Sequence, residues 1–227
     1  MPAPMPMSAC STVDVAAALA RLEALLPLRA RQRALPPAWQ AVHRALLRTF
    51  AERGRPPSRA ELAARLPAGE AAAALARLVA DDLVVLDAHR EPVGAYPLTL
   101  EATPHALLLG GHRLHAMCAL DALSVAPLFA TEVRIASRCA LSGAPIRIDQ
   151  RGSELLAITP APDVRVGIHW QTPCGAAAHS LCREMVFLRD GGLAAQWQQG
   201  DADGRALLTP ADAVAVGAGF FRPLLHD

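Results

Sequence analysis

The stretch Thr131-Glu132-Val133-Arg134-Ile135-Ala136-Ser137 alternates, with Val133 and Ile135 facing one way, and the pattern resumes over residues 145–148 after the turn Ser142-Gly143. A period of two marks a half-buried strand, and two such runs joined across a glycine turn read as an antiparallel pair. Working outward, further strands are predicted over 155–158, 164–170 and 185–188. Upstream, the apolar run 106–109 leads into a Gly110-Gly111 turn. Helices are predicted over 114–128, ending near Pro127, and over 192–198 and 210–221. Everything beyond residue 100 therefore reads as a mixed α+β domain with a mainly antiparallel sheet.

Before residue 100 the pattern is helical. Residues 13–26 place Val15, Ala18, Leu22, Leu25 and Leu26 on one side of a helix closed by Pro27, and an Arg- and Pro-rich break covers 29–37. Helices follow over 39–53, 59–66 and 71–80, the second opened by a Ser58/Glu61 capping box. Leu83-Val84-Val85-Leu86, a polar turn through His89, Arg90 and Glu91, and a returning segment over 93–100 look like a hairpin. Three helices and a hairpin make a winged-helix pattern. The predicted organisation is an N-terminal extension and helix over 1–36, a winged-helix-like domain over 37–100 packed on the sheet domain, and a catalytic domain over 101–227. DNA binding is not expected of it. Residues 37–100 hold eight arginines against seven acids, and the would-be recognition helix offers only Arg77.

The 227 residues are 52% hydrophobic, enough for a sizeable core, and carry 22 basic against 21 acidic groups, a formal net charge of +1. That balance gives no field aimed at a polyanion or an anionic membrane. Residues 1–10 lack the basic and apolar regions of a secretory signal, and no apolar run is long enough to span a membrane, so a cytoplasmic location is expected. The five cysteines, Cys10, Cys118, Cys139, Cys174 and Cys182, are odd in number and contain no C-x-x-C pair. A disulfide framework or zinc ribbon is disfavoured, and free thiols remain to be explained.

Cys118-Ala119-Leu120-Asp121 places a thiol and a carboxylate three residues apart, on one face if the segment is helical. They could share a proton. Their neighbours Met117, Ala119, Leu120, Leu123 and Val125 are apolar, and burial raises the pKa of both groups. Alone, the pair also fits a cysteine packed as a small hydrophobe beside a local hydrogen-bonding aspartate.

Read together, several words of the sequence resemble the organomercurial (alkylmercury) lyases of bacterial mercury resistance. The resemblance runs through Arg53-Gly54-Arg55-Pro56 with Ser58-Arg59, Pro97-Leu98-Thr99-Leu100 and Cys118-Ala119-Leu120-Asp121. It continues in Arg138-Cys139-Ala140 with Ser142-Gly143-Ala144-Pro145, Ser180-Leu181-Cys182 with Val186-Phe187, and Ala194-Ala195-Gln196-Trp197. It implies a winged-helix-like part that does not bind DNA, packed on a lyase domain whose site uses Cys118, Cys182 and Asp121. These three residues would be both the catalytic set and the ligands of substrate or product mercury. A third recurring cysteine, regarded as structural, falls on Cys139. Where some members carry another cysteine after the second thiol, this chain has Arg183, a departure that bears on metal release.

The implied chemistry has its own physical logic. Soft thiolates select soft metals, so two of them suit mercury. Their electron donation raises the negative character of the carbon bound to mercury, which must then take up a proton, and Asp121 is the nearest carrier. No cofactor is implied, but external thiols are needed to remove Hg(II). The expected partners are organomercurial substrates, low-molecular-weight thiols and a thiol-bearing protein such as a mercuric reductase, with no nucleic acid and no membrane.

Other readings stay open at this level. Cys182 equally fits a strand-edge core cysteine. Cys174, with His179 nearby, fits an incidental surface thiol or an extra mercury-collecting site. Cys10 lies in a Pro-rich terminus of the kind that is often unstructured. His112 and His115 lack the second spaced pair that a zinc site needs and read as polar or hydrogen-bonding residues. The competing function is a winged-helix sensor or sequestering protein whose Cys118 and Cys182 trap a soft metal. It would need a basic helix and no proton donor, whereas this chain has Asp121 and lacks such a helix.

Overall fold

The carboxylate of Asp14 accepts the backbone N–H of Ala16 at 2.9 Å and so opens helix α1, Val15–Leu25. The structure, a computed structural model, describes residues 14–160 and 163–226; Cys10 and the predicted first helical residue Val13 lie outside them. Helix α2, Leu28–Arg33, stands where the sequence suggested only a break. Its six residues are too few to show a helical period, and Pro36 and Pro37 belong to the start of the next helix. Helix α3, Pro37–Arg53, takes Pro37 in its first turn and stops at Gly54, whose φ of 64° closes the end in the left-handed region. The Ser58/Glu61 capping box is present in both directions, yet α4 covers only Arg59–Ala63. Helix α5, Ala71–Ala80, matches its predicted range.

Strand β1, Val85–Leu86, pairs with β2, Pro92–Ala95, as the expected hairpin. The returning segment then turns again at Tyr96-Pro97, and β3, Leu98–Thr99, folds back on β2. Strands β4, Ala106–Leu109, and β5, His112–Ala116, meet at Gly110-Gly111, both at positive φ. The helix predicted from residue 114 therefore starts late. Leu114 and Ala116 point inward from β5 on either side of His115, and helix α6 covers Ala119–Phe129. A short apolar run alone could not separate the two.

Helix α6 runs through Pro127 rather than ending there. Proline has no N–H for the carbonyl four residues earlier, and that carbonyl, of Leu123, instead accepts the Gln150 side-chain amide at 2.9 Å. Gln150 lies on β7, Pro145–Arg151, between β6, Glu132–Arg138, and β8, Glu154–Thr159. Both β6 and β7 alternate cleanly between exposed and buried positions. These strands form an eight-stranded sheet in the order β1-β2-β3-β5-β4-β6-β7-β8, in which every pairing is antiparallel. The sheet passes through residue 100 without a break.

A second antiparallel sheet centres on β9, Arg165–His169, flanked by β10, Met185–Leu188, and β11, Arg205–Leu208, with α7, Gly191–Gln198, between the outer two in sequence. Strand β11 is four residues long and went unseen in the sequence for want of a period. Helix α8, Pro210–Phe221, begins at a Thr209/Asp212 capping box and packs on α1 and α6. One apolar core joins Leu22, Phe50, Leu98, Val125, Ile148, Phe187 and Phe221. Helix α6 lies at its centre, with every residue from Ala119 to Leu128 buried. The fold is thus mixed α/β with a mainly antiparallel sheet. Among the described residues, no helix is long and apolar enough to cross a membrane.

Candidate active site

The buried start of α6 is where the chemistry collects. Cys118 does not share a helical face with Asp121; it is the N-cap, in extended backbone at φ −151° and ψ 179°. From there its sulfur accepts the backbone N–H of Asp121 at 3.2 Å. Cys182 arrives from another part of the chain. A 3-10 turn at Ala177–His179 and a second at Leu181–Glu184 lead into β10, and the second holds Cys182 with its Sγ 3.8 Å from Asp121 Oδ2. One ligand atom from each of Cys118, Asp121 and Cys182 fits within 4.8 Å of the others, and no other group of three such residues is found among the described residues. Cys118 is 0% exposed, and Asp121 and Cys182 are 3% exposed.

Burial dominates the electrostatics. It raises Asp121 from the usual carboxylate range to about 7, against hydrogen bonds from Cys118 and Cys182 that favour the charged form. Burial also raises the Cys118 thiol, although its contacts with Cys182 and the Asp121 N–H pull the other way. The Cys182 thiol is raised well above its ordinary value, first by its contact with Cys118, then by burial and the nearby carboxylate. The site therefore rests with protonated thiols around an aspartate able to exchange a proton near neutrality.

Sulfur continues around the site: Met185 Sδ lies 3.6 Å from Cys118 Sγ. Met185, Met117 and Cys182 face a cleft of about 430 Å³ whose other walls include His105, Cys139 and Phe187. Cys118 and Asp121 do not line it. His105 packs edge-on to Phe187 and hydrogen-bonds with Ser137 at 2.9 Å, and burial lowers its pKa to about 4, which keeps it neutral. The rim is polar, with Arg138, Arg183 and a hydrogen bond between His179 and Glu101 at 2.8 Å.

The remaining sequence candidates are scattered. Burial pushes the Cys139 thiol up, but the Ser142 hydroxyl and the backbone N–H groups of Ser142, Arg189 and Leu141 outweigh it and leave the thiol below its ordinary value. Cys174 is exposed. His112 contacts the carbonyl of Glu52 at 3.2 Å, and His115 lies within hydrogen-bond distance of the Thr103 backbone. Sequence reasoning missed Met185, because a methionine in a strand carries no positional signal. It also missed Asp82 and Tyr96, whose side chains accept the backbone N–H groups of Ala177 and Ala178 in the first 3-10 turn; Tyr96, the single tyrosine of the chain, is buried.

Two thiols and an acid are thus enclosed together at a helix start, in a mixed α/β fold with antiparallel sheets, and thiols are ligand types that suit a soft metal. The profile of the alkylmercury lyase family, MerB, matches residues 98–222, which include all three residues. The chain belongs to that family. It is 31% identical to an alkylmercury lyase of Bacillus cereus over 120 residues, 53% of this chain and 54% of that one. It is 29% identical to one of Pseudomonas putida over 130 residues, 57% and 60% of the two chains. The chain thus spans little more than half the length of the curated relatives it matches. A solved structure described as the mercury-bound form of MerB2 shares the fold, with a TM-score of 0.75 and 21% identity over 87% of this chain and 98% of that one.

Proposed function

We propose that this protein is an organomercurial lyase that cleaves the carbon–mercury bond by protonolysis. The observation that carries this reading is the enclosure of Cys118, Asp121 and Cys182 within 4.8 Å of one another in a water-poor core. Cys182, the member that lines the cleft, meets the substrate first. Two thiols replace the thiolate that carries the organomercury cation. One of their protons leaves with that carrier and the other passes to the Asp121 carboxylate. The two sulfurs then push electron density onto the metal-bound carbon. Asp121 returns its proton to that carbon, the electron pair of the carbon–mercury bond forms the new carbon–hydrogen bond, and Hg(II) stays on two thiolates. A pKa of about 7 suits a group that must accept and then donate a proton.

The cleft walls of Met117, Met185 and Phe187 suit the organic group. No cofactor takes part; external thiols remove the mercury through the cleft, directly or from a partner such as a mercuric reductase. The location is cytoplasmic. Residues 37–100 form a winged-helix-like unit, in the order α3, α4, α5 and the β1–β2 hairpin, that supports the lyase unit of residues 101–227. DNA contact is disfavoured by charge, since residues 37–100 carry eight arginines against seven acids and the one arginine of α5, Arg77, pairs with Asp81. The test is incubation of purified protein with phenylmercury and excess thiol. Benzene release supports the lyase reading. Tight mercury uptake without benzene supports the sensor or sequestration reading instead.

A further inference from the structure

Cys182 sits on the second of two consecutive short 3-10 turns, which are weak elements with few hydrogen bonds of their own. Their first turn is nevertheless fastened from outside. Asp82 Oδ2 accepts the backbone N–H of Ala177 at 2.9 Å, and the hydroxyl of Tyr96 accepts that of Ala178 at 2.8 Å. The same hydroxyl donates to Asp82 Oδ1 at 2.9 Å, closing the set. Asp82 lies two residues past the end of α5, in the left-handed region at φ 54°, with Arg31 Nη1 4.0 Å from its Oδ2 and 3.1 Å from the Asp81 carbonyl. A residue other than glycine keeps that conformation only where its surroundings fix it.

The turn that carries Tyr96 reaches the other thiol as well. The carbonyl of Pro97 accepts the N–H of Met117, the residue before Cys118, at 3.3 Å. One turn of chain, residues 96–97, therefore touches both cysteine-bearing segments, which are otherwise far apart in sequence.

We propose that Asp82 and Tyr96 are positioning residues that hold the Cys182 thiol in register with Cys118 and Asp121. This inference rests on the reading of Cys182 as a mercury ligand. It also ties the N-terminal half to the site, because the helices of that half anchor the clamp that keeps the second thiol in place.

The clamp is tested by the alkylation rate of each cysteine by iodoacetamide in the full chain, read peptide by peptide by mass spectrometry, so the result does not depend on turnover. Tyr96→Phe keeps the buried ring and removes only the hydroxyl, and Asp82→Ala removes the other acceptor. Freeing a buried N–H of its partner should increase local opening, and Cys182 should react about tenfold faster in both variants, with Cys139 unchanged. Asp82→Asn, which keeps one acceptor oxygen, should fall between Asp82→Ala and the wild type. With phenylmercury, kcat should drop about tenfold in Tyr96→Phe and recover part-way from Asp82→Ala to Asp82→Asn. An unchanged Cys182 rate, or Cys139 accelerating equally with Cys182, would overturn the clamp. If the wild type itself releases no benzene, the lyase reading fails while the alkylation rates still decide the clamp.

Discussion

The sulfur of Cys118 caps the helix that carries Asp121, accepting its backbone N–H at 3.2 Å. The thiol thus serves the fold and the site at once, and the two roles can be separated. Serine is a good N-cap whose oxygen takes the same N–H, but it is a poor ligand for a soft metal. Cys118→Ser should keep a melting temperature within a few degrees of wild type and lose nearly all benzene formation from phenylmercury. A thermal melt alongside gas chromatography checks both halves.

Helix α8 approaches α6 through Gly217, where an added Cβ would overlap Ser124 Oγ and stand 3.0 Å from Ser124 Cβ. Both neighbours are buried, so the helices would have to separate. Gly217→Ala should cost about 1–3 kcal/mol in chemical denaturation. Adding Ser124→Ala should restore only part of that, since the Cβ contact remains.

His43 gives stability a pH dependence away from the site. Burial lowers its pKa from 6.5 to about 4, outweighing a hydrogen bond with the Leu83 backbone, and Gln32 Nε2 lies 2.7 Å from its Nδ1. The unfolded chain therefore takes up a proton between about pH 6.5 and 4 that the folded chain does not. The contribution is complete above pH 6.5 and is lost as the pH falls toward 4, by on the order of 3 kcal/mol in total. His43→Gln should flatten the stability profile over that window; an unchanged slope in urea melts from about pH 7 to about pH 4.5 would contradict this.

Most elements were legible in the sequence wherever a period had room to show. The alternation of β6 and β7, the capping box at Ser58 and the apolar side of α1 all stand where the pattern puts them. Failures fall on short or doubly buried pieces: the six residues of α2, the four of β11, and the boundary between β5 and α6, where both states are apolar. Pro127 misled because the helix-breaking cost depends on a tertiary partner, Gln150, that no local pattern reveals. For the site, the C-x-x-D word and the later cysteine were visible, but their meeting was not. A 61-residue separation between Asp121 and Cys182 is closed by the fold alone. Even the geometry of the visible pair differed, since a cap residue does not obey helical face spacing.

The account turns on Asp121 as the proton carrier, and the most direct test is a single-turnover reaction of Asp121→Ala with phenylmercury, following mercury uptake and benzene together. The variant should still take up mercury on two thiolates, seen as thiolate-to-mercury absorption, while benzene formation slows by about a hundredfold or more. Benzene released at the wild-type rate by Asp121→Ala would contradict the account.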